Sequence, residues 1–329
     1  MMQRRDLLAT LALGTLMTPR AGRSQTARKV YRIGIMGLRP TSDLVGPKPR
    51  SPSTKAFLEG MRDLGYVYGE HFVTEPRGAD GRPERLAALA AELVGLQVDV
   101  IVAAGPALAA LKQTTTTIPI VMAAVYDPVA SGFVKSLARP GGNITGLSFG
   151  GRDLHAKRLE LLKEIVPGES SVGVVWEGEA GGWQTTQTAA HARGWKLLSL
   201  EVHGPDGIDA AFRSAAEARV GSLLVFASSP LFVHAEQVAS LAAKYRLPAI
   251  YELRRFVEVG GLMFYGVDDN DIWRQAAAYV DKILKGARPA DLPVEQPTQL
   301  RFVINRRAAK TLRLAIPQRV LMRADEIIE

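Results

Sequence analysis

The chain has 329 residues, 47% hydrophobic and 22% charged, which suggests two globular domains and excludes disordered, collagen-like and coiled-coil chains. It contains no cysteine, so disulfide scaffolds, thiolate zinc sites, iron–sulfur clusters and a cysteine nucleophile are excluded. The net charge of +8 is divided evenly between residues 1–28 and the remainder, where basic and acidic residues are mixed, so the body lacks the basic surface of a nucleic-acid-binding protein.

Residues 1–28 have the pattern of an export signal. A charged segment, Gln3–Asp6, precedes an apolar run of eleven residues, Leu7–Met17. This run is too short for a membrane span, which needs about 20 residues, but it suits a signal peptide. The pair Arg4-Arg5 resembles the start of a twin-arginine signal. We therefore expect a soluble mature protein in the periplasm, with Ala27 one candidate for the cleavage position; a buried first helix is the alternative.

From residue 30 onward, segments typical of strands alternate with segments typical of helices. In the first half the predicted strands are Val30–Ile35, His71–Glu75, Val98–Ala104 and Ile118–Val125. The predicted helices between them are Ser53–Leu64 and Pro83–Val94, and an alanine-rich helix follows Gly105. The last two strands are almost continuously apolar, which is typical of parallel strands covered by helices on both faces.

A second series of the same kind follows residues 142–146. Its predicted strands are Val172–Trp176, Trp195–Val202, Ser222–Ala227, Pro248–Tyr251 and Leu262–Tyr265. Its predicted helices are Asp153–Ile165, Ile208–Ala218, Leu231–Tyr245 and Arg254–Val259. The interval from Gly65 to Pro119 and that from Gly194 to Pro248 are both 54 residues and contain the same order of elements. This repetition indicates two similar lobes.

The last part of the chain is expected to cross back between these lobes. It contains a predicted helix at Ile272–Lys285, a strand at Gln299–Ile304, and a short helix and tail at Asn305–Glu329. The predicted fold class is α/β, with two doubly wound parallel-sheet lobes joined by hinge strands. We predict that the N-terminal lobe comprises residues 29–147 plus 267–300, and the C-terminal lobe residues 148–266 plus 301–329.

The familiar signatures of nucleotide binding and of catalysis are absent from the sequence. There is no G-x-G-x-x-G after a strand, no G-x-x-x-x-G-K-[ST] and no G-x-S-x-G. The five histidines are scattered, and no two of them are spaced i, i+4. We therefore expect no metal site, no cofactor and no catalytic residue.

Candidate ligand-binding residues lie at the carboxyl ends of the predicted strands, where open parallel sheets bind ligands. Gly105-Pro106-Ala107 leads from a strand into a helix, whose first-turn N–H groups at Ala107 and Leu108 attract an anion. A plain strand-to-helix turn is the equal alternative. Asp127 either pairs with a ligand ammonium or caps the segment that follows it.

Four aromatic residues also fall at predicted strand ends, namely Tyr126, Trp176, Tyr251 and Tyr265. Their grouping favours a stacking or cation–π pocket, although aromatic residues at sheet edges more often only pack. The complete set of predicted ligand-binding residues is Thr41, Ser42, Gly105, Pro106, Ala107, Tyr126, Asp127, Trp176, Ser228, Tyr251, Tyr265 and Asp268.

Segments spread over residues 30–329 match one known family. They are Ala56–Tyr66, Leu86–Leu93, Val98–Val102, Ile118–Val121, Asp127–Val129, Leu137–Gly146, Lys157–Lys163, Gly260–Met263, Ala278–Gly286, Asp291–Thr298 and Arg323–Ile328. On these segments the body resembles the ABC transporter substrate-binding proteins of the type I periplasmic-binding-protein fold, which include binders of tryptophan and other aromatic amino acids.

The resemblance implies a cleft that closes on a small ligand and delivery of that ligand to a membrane permease driven by a separate ATPase. The chain has no lipobox cysteine, so we expect a freely diffusing protein, monomeric and without nucleic-acid partners. It departs from the family pattern at four places in the mouth of the second lobe: Glu177–Gly181, Ser229-Pro230, Glu252 and Val267-Asp268. The ligand's identity is thus the least transferable property.

The leading hypothesis is a binding protein without enzymatic turnover. In it, the ligand's carboxylate lies at the helix N-terminus after Gly105 and its ammonium faces Asp127 or Asp268. Its apolar or aromatic side chain packs among Tyr126, Trp176 and Tyr251. The alternative is an exported α/β hydrolase or transferase using the same cleft. A transcription-factor sensor domain is disfavoured because an export signal stands where a helix-turn-helix would be expected.

Overall fold

The computed structural model describes residues 29–149, 154–168, 171–177, 182–192, 194–296 and 298–329. The predicted signal peptide, residues 1–28, and most of the 177–181 departure lie outside these ranges. No helix in the described ranges is both long enough and apolar enough to cross a bilayer.

The first lobe is built on a five-stranded, fully parallel sheet. Its strands are β1 (Tyr31–Gly37), β2 (Phe72–Gly78), β3 (Val100–Ala103), β4 (Ile120–Val125) and β5 (Ile144–Ser148), in the order β2-β1-β3-β4-β5. Its helices are α1 (Thr41–Leu44), α2 (Pro52–Asp63), α3 (Leu86–Gly95) and α4 (Ala107–Thr114). The first turn of the predicted helix at Pro83 is a separate 3₁₀ turn, Pro83–Arg85.

The second lobe is built on a seven-stranded sheet. Its strands are β6 (Ser171–Trp176), β7 (Lys196–Glu201), β8 (Ser222–Val225), β9 (Ala249–Tyr251), β10 (Met263–Gly266), β11 (Arg301–Asn305) and β12 (Glu326–Ile328). They lie in the order β12-β11-β10-β9-β8-β6-β7, and every neighbouring pair is parallel except β10 with β11. Two doubly wound, mainly parallel lobes confirm the predicted fold class.

The helices that follow β5 are α5 (Leu154–Ile165), α6 (Trp183–His191), α7 (Gly207–Glu217), α8 (Ser229–Val233), α9 (Ala235–Lys244), α10 (Arg255–Glu258), α11 (Asp269–Leu284), α12 (Arg306–Thr311) and α13 (Gln318–Leu321). The predicted single helix Leu231–Tyr245 is therefore wrong, because the chain forms α8 and α9 with a break at His234. Sequence periodicity also did not reveal β5, β12 or α6.

Helix α11 returns to the first lobe and packs lengthwise on α2. Gly60 makes this packing possible, since a Cβ at that position would lie only 2.4 Å from the carbonyl oxygen of Arg274. Helices α2 and α11 cover one face of the first sheet, and α3 and α4 cover the other. In the second lobe α7, α9 and α10 cover one face, and α5, α12 and α13 the other.

Within the described ranges, the chain crosses between the lobes through Val267 and Asp268 and again through a segment that includes residues 292–296 and 298–300. In the second crossing Glu295 pairs with β5: its N–H donates to the carbonyl of Gly146 at 3.1 Å, and its carbonyl accepts from the N–H of Ser148 at 3.0 Å. The hinge is thus made of extended segments with strand-like pairing at Glu295. The residue limits predicted for each lobe stay a prediction.

Candidate functional site

A cavity of about 460 Å³ lies between the carboxyl ends of the two sheets. The first lobe forms most of its wall, through the segment after β1, the Ala104–Pro106 turn, the loop after β4, and Phe149. The second lobe contributes Ala227, Ser228, Phe232 and Leu253, and α11 contributes Asp269 and Trp273. This is the place where two facing open sheets are expected to bind a ligand.

Five of the predicted site residues line this cavity: Gly105, Pro106, Tyr126, Asp127 and Ser228. Three more lie in the first lobe just behind the wall. Thr41 uses its hydroxyl to accept from the N–H of Gly78 at 2.8 Å, Ser42 is exposed, and Ala107, the first residue of α4, is fully buried.

The remaining four predicted residues, Trp176, Tyr251, Tyr265 and Asp268, are not part of the cavity wall. Trp176 stacks on Trp183 with ring centroids 5.7 Å apart and donates its indole N–H to Ser199 at 2.8 Å. Tyr251 is fully buried in the second lobe, stacked on Phe256 at 4.9 Å. Both aromatic side chains are held by partners within their own lobe, which removes them from the cleft.

Tyr265 and Asp268 also have partners of their own. The Tyr265 ring packs edge-on against Phe302, with centroids 6.1 Å apart. Asp268 is the N-cap of α11: its carboxylate accepts from the N–H of Asn270 at 2.9 Å and pairs with Arg254 at 3.1 Å. The carboxylate that faces the cavity is instead that of its neighbour Asp269.

The proposed anion site at the start of α4 is only partly available. Gly105 adopts a φ of +59°, a left-handed conformation that glycine tolerates, and this turns the chain into the helix. The N–H of Leu108 donates to the carbonyl of Gly105 at 3.2 Å, so one of the two predicted anion donors is already used. At Asp127 the cap geometry holds, because the carboxylate accepts from the N–H of Ala130 at 2.8 Å.

Arg39 is the basic residue of the cavity wall, and sequence analysis did not single it out. Its guanidinium lies 5.4 Å from the ring centroid of Phe232, as does that of Arg255 from the second lobe. It forms no ion pair with any carboxylate in the described ranges. Burial, followed by the like charge of Arg255, lowers the pKa of Arg39 below its usual value. A half-buried cation that forms no close ion pair is a natural binding point for an anionic group.

Asp269 is the corresponding acidic group. Burial, followed by the charge of Asp268, raises its pKa to about 6. Its side chain accepts a hydrogen bond from the hydroxyl of Ser53 at 3.3 Å. Beside it, the Thr54 hydroxyl is 1% exposed and has no partner in the described part of the chain. This floor therefore offers a carboxylate and a free hydroxyl to a ligand.

A buried polar cluster holds the second lobe's edge of the cleft. Glu252, 6% exposed, pairs with Arg158 at 2.7 Å and accepts from the N–H of Ala227 at 2.9 Å. Across the cleft the Tyr126 hydroxyl donates to Glu252 at 3.4 Å, so one carboxylate connects both lobes. Desolvation of the Tyr126 hydroxyl, helped by the charge of Glu252, raises its pKa well above the usual value.

This arrangement, a two-lobed α/β clamp with a ligand-sized cavity at its hinge-side cleft, defines the class of solute-binding proteins. The family model "ABC transporter substrate binding protein" matches residues 47–328. The chain belongs to this family, which confirms the resemblance drawn from its sequence. It is accordingly the extracytoplasmic substrate-binding component of an ABC transporter, and the hydrolase or transferase alternative has no support.

Comparison with individual proteins gives the same result. The chain is 27% identical over 298 residues to a tyrosine-binding protein of Clostridioides difficile, covering 87% of this chain and 82% of that protein. Its fold is similar to that of an ABC domain from Streptococcus pneumoniae crystallised with L-Trp, with 25% identity, a TM-score of 0.80, and coverage of 91% and 100%. A conserved domain protein from Vibrio cholerae is 29% identical, with a TM-score of 0.81 and the same coverage.

Proposed function

We propose that this protein captures an α-amino acid with an aromatic or other large apolar side chain in the inter-lobe cavity and passes it unchanged to a permease. The observation that carries the proposal is a cation without an ion pair, Arg39, and a carboxylate that caps no backbone segment, Asp269, in a largely aromatic and aliphatic cavity whose other carboxylate, Asp127, caps the loop after β4. A free amino acid of this kind has a carboxylate, an ammonium and an apolar side chain. These three groups match the cation, the carboxylate and the apolar wall of the cavity. The tyrosine-binding relative and the similar structure in complex with L-Trp support the same class.

The charged ends of the ligand are assigned by complementarity. The α-carboxylate pairs with Arg39, whose guanidinium forms no close ion pair among the described residues, although the charges of Asp269, Glu258 and Asp43 act on it. The α-ammonium pairs with Asp269 and donates to the free hydroxyl of Thr54. This replaces the pose that sequence analysis favoured, in which the helix after Gly105 held the carboxylate and Asp268 faced the ammonium. Both ion pairs gain strength because the closed cavity excludes water.

The apolar side chain of the ligand packs against the aromatic wall. Tyr126 and Phe149 have their centroids 5.0 Å apart and present a continuous surface, and Trp273 lies on the α11 side. The cavity volume of about 460 Å³ falls in the range of roughly 300–1,000 Å³ typical of small-molecule sites. Offset stacking on such rings contributes about 0.5–1.5 kcal/mol beyond simple burial.

The remaining parts of the proposal concern the protein as a whole. It acts as a monomer in the periplasm after removal of residues 1–28, without nucleic-acid partners and without catalytic turnover. The cleft contacts between Tyr126 and Glu252, and between Arg39 and Phe232, support closure of the lobes around the ligand.

The test uses calorimetric titration of the mature chain with L-tyrosine, L-tryptophan and L-phenylalanine. Two truncated ligands serve as probes: tyramine, which lacks the carboxylate, and 3-(4-hydroxyphenyl)propionate, which lacks the ammonium. Substituting Arg39→Gln should weaken L-tyrosine binding at least tenfold, about 1.4 kcal/mol, and should leave the weaker tyramine binding unchanged.

Arg274→Gln is the matched control, since that arginine pairs with Glu59 and Asp63 on the surface of the first lobe. It should leave all affinities unchanged. Equal loss of tyramine and tyrosine binding in Arg39→Gln would contradict the assignment of the carboxylate. Absence of binding by all amino acids with large apolar side chains would contradict the proposed ligand class.

A further inference from the structure

The second lobe contains another cavity, of about 260 Å³, which shares no lining residue with the inter-lobe cavity. It lies at an end of the second sheet, beside the residues that precede β9 and β10 and the last residue of β11, and it is reached by α9 from one face and by α12 from the other. Its walls are formed by Ala242 of α9, Tyr251 of β9, Gly261 before β10, and Ala308 of α12. Because the family's ligand is captured between the lobes, nothing in that role accounts for this second space.

Small residues keep the cavity open. Ala239, Ala242 and Ala243 face it from α9, where larger side chains would fill it. Gly261 is required for a different reason, since a Cβ there would lie 2.5 Å from Cε2 of Tyr251 and 2.7 Å from the carbonyl oxygen of Phe256. A cavity of roughly 150 Å³ accepts benzene, so this one accepts a ring with a small substituent.

Tyr251, on the wall of the cavity, carries a buried hydroxyl without a partner in the described ranges. Tyr251 is 0% exposed, and its hydroxyl has no hydrogen-bond partner among the described residues. Burial raises the pKa of this phenol above its ordinary value, so the group keeps its proton and remains a donor. Buried donors are nearly always paired, and an unpaired one calls for an acceptor that the protein itself does not supply.

The rim of the cavity is basic. Arg307 lines it, is exposed, and forms no ion pair in the described part of the chain. The acidic residue on the wall, Glu258, is already paired with Arg254 at 3.2 Å. The unbalanced charge at the opening is therefore positive, which favours an anionic ligand.

We propose that this cavity is a second ligand site that binds a small organic anion with an apolar body, of the size of an aromatic monocarboxylate. The apolar body occupies the space between α9 and α12, an oxygen accepts from the Tyr251 hydroxyl, and Arg307 attracts the negative charge. The site is separate from the cleft and operates whether or not the cleft is occupied.

Benzoate is the probe, with benzyl alcohol as its neutral analogue, and binding to the mature chain is followed by calorimetry and ligand-observed NMR. We expect saturable binding of benzoate and binding of benzyl alcohol about tenfold weaker. Tyr251→Phe removes only the hydroxyl and should weaken benzoate binding several-fold, whereas Arg307→Gln should weaken it less and reduce its dependence on salt.

A pair of cavity-filling variants separates the two sites. Ala242→Leu fills the second cavity and should remove benzoate binding, whereas Ala227→Leu fills the inter-lobe cavity and should leave it intact. Circular dichroism and melting temperature establish that each variant is folded, and Tyr251→Phe serves in place of Ala242→Leu if the latter does not fold. Three results would overturn the proposal. The first is loss of benzoate binding only in Ala227→Leu, and the second is unchanged benzoate binding in both Ala242→Leu and Tyr251→Phe. The third is the absence of saturable benzoate binding by the unmodified chain.

Discussion

The two lobes share an architecture but contribute unequally to the inter-lobe cavity. Every charged residue of the cavity wall, namely Arg39, Asp127 and Asp269, belongs to the first lobe or to α11, which packs on it. The second lobe supplies Ala227, Ser228, Phe232 and Leu253, none of which is charged. Its own charged groups, Glu252 and Arg158, are paired with each other behind the wall.

This difference indicates a division of tasks. The first lobe holds the groups that can recognise a zwitterion, so the ligand should bind there first. The second lobe presents an uncharged surface to the cavity, and its buried ion pair fixes the edge that Tyr126 contacts. Under the proposed function, closure of the lobes would desolvate the ion pairs made by the ligand and so strengthen them.

The largest effect is expected from breaking the buried pair of the second lobe. Arg158→Ala leaves Glu252 buried without its cation, which typically costs about 3–5 kcal/mol of unfolding free energy. The measurement is denaturant unfolding without ligand. Arg274→Ala removes an exposed pair of the first lobe and should cost less than about 1 kcal/mol. Equal losses in the two variants would mean that Glu252 is not held by Arg158.

The second prediction concerns pH and the carboxylate of the first lobe. The pKa of Asp269 is raised to about 6, so this group loses its charge as the pH falls through 6, and affinity for an amino acid should fall with it. In the ligand-free protein the sign is opposite. The folded state binds the proton of Asp269 more tightly than the unfolded state. The contribution of Asp269 to the free energy of unfolding therefore grows as the pH falls from about 6 toward the ordinary pKa of an aspartate.

Asp269→Asn tests the predicted pH dependence of the affinity. It should weaken L-tyrosine binding about tenfold or more at pH 7.5 and flatten the affinity profile between pH 7.5 and 5. Binding of 3-(4-hydroxyphenyl)propionate, which has no ammonium, should not weaken. Titration calorimetry at several pH values gives the result, and an unchanged pH profile in the variant would remove Asp269 from the site.

The smallest effect is expected from the contact between the lobes. Tyr126→Phe keeps the ring that packs on Phe149 but removes the hydroxyl that donates to Glu252 at 3.4 Å. A bond of this length contributes about 0.5–1.5 kcal/mol, so ligand release should become a few-fold faster with little change in melting temperature. Stopped-flow measurement of the dissociation rate checks this. A slower release would show that the hydroxyl opposes closure.

Much of the fold could be predicted because hydrophobic periodicity and the residues that form turns and end helices act locally along the chain. The apolar runs at β3 and β4 were predicted as buried parallel strands, and both strands are fully or almost fully buried. The break between α8 and α9 was missed because Leu231–Tyr245 keeps an apolar stripe throughout. Strand β12 was missed because three residues at the end of the chain carry too little pattern.

In the candidate site, too, the local features could be predicted and the non-local ones could not. Strand ends can be found from sequence, and Gly105, Tyr126 and Asp127 do line the cavity. The direction of a side chain at a strand end is not local: Tyr251 turns into the core on Phe256, and Trp176 is covered by Trp183 from α6. The signal that could have identified Arg39 was its charge, because it follows closely after β1. From that strand end, only Thr41 and Ser42 were predicted from the sequence to bind the ligand.

The order of residues alone determined that two α/β lobes form and that the cavity between them lies at the carboxyl ends of the strands. Hydrophobic periodicity and turn residues act within a few positions of each other, and that is sufficient for both conclusions. Only the tertiary structure decided that Asp269 rather than Asp268 faces the cavity, and that Arg39 meets Phe232. These choices depend on how α11 and the opposite lobe pack, because a rotation of one residue along a helix turns a side chain by about 100°.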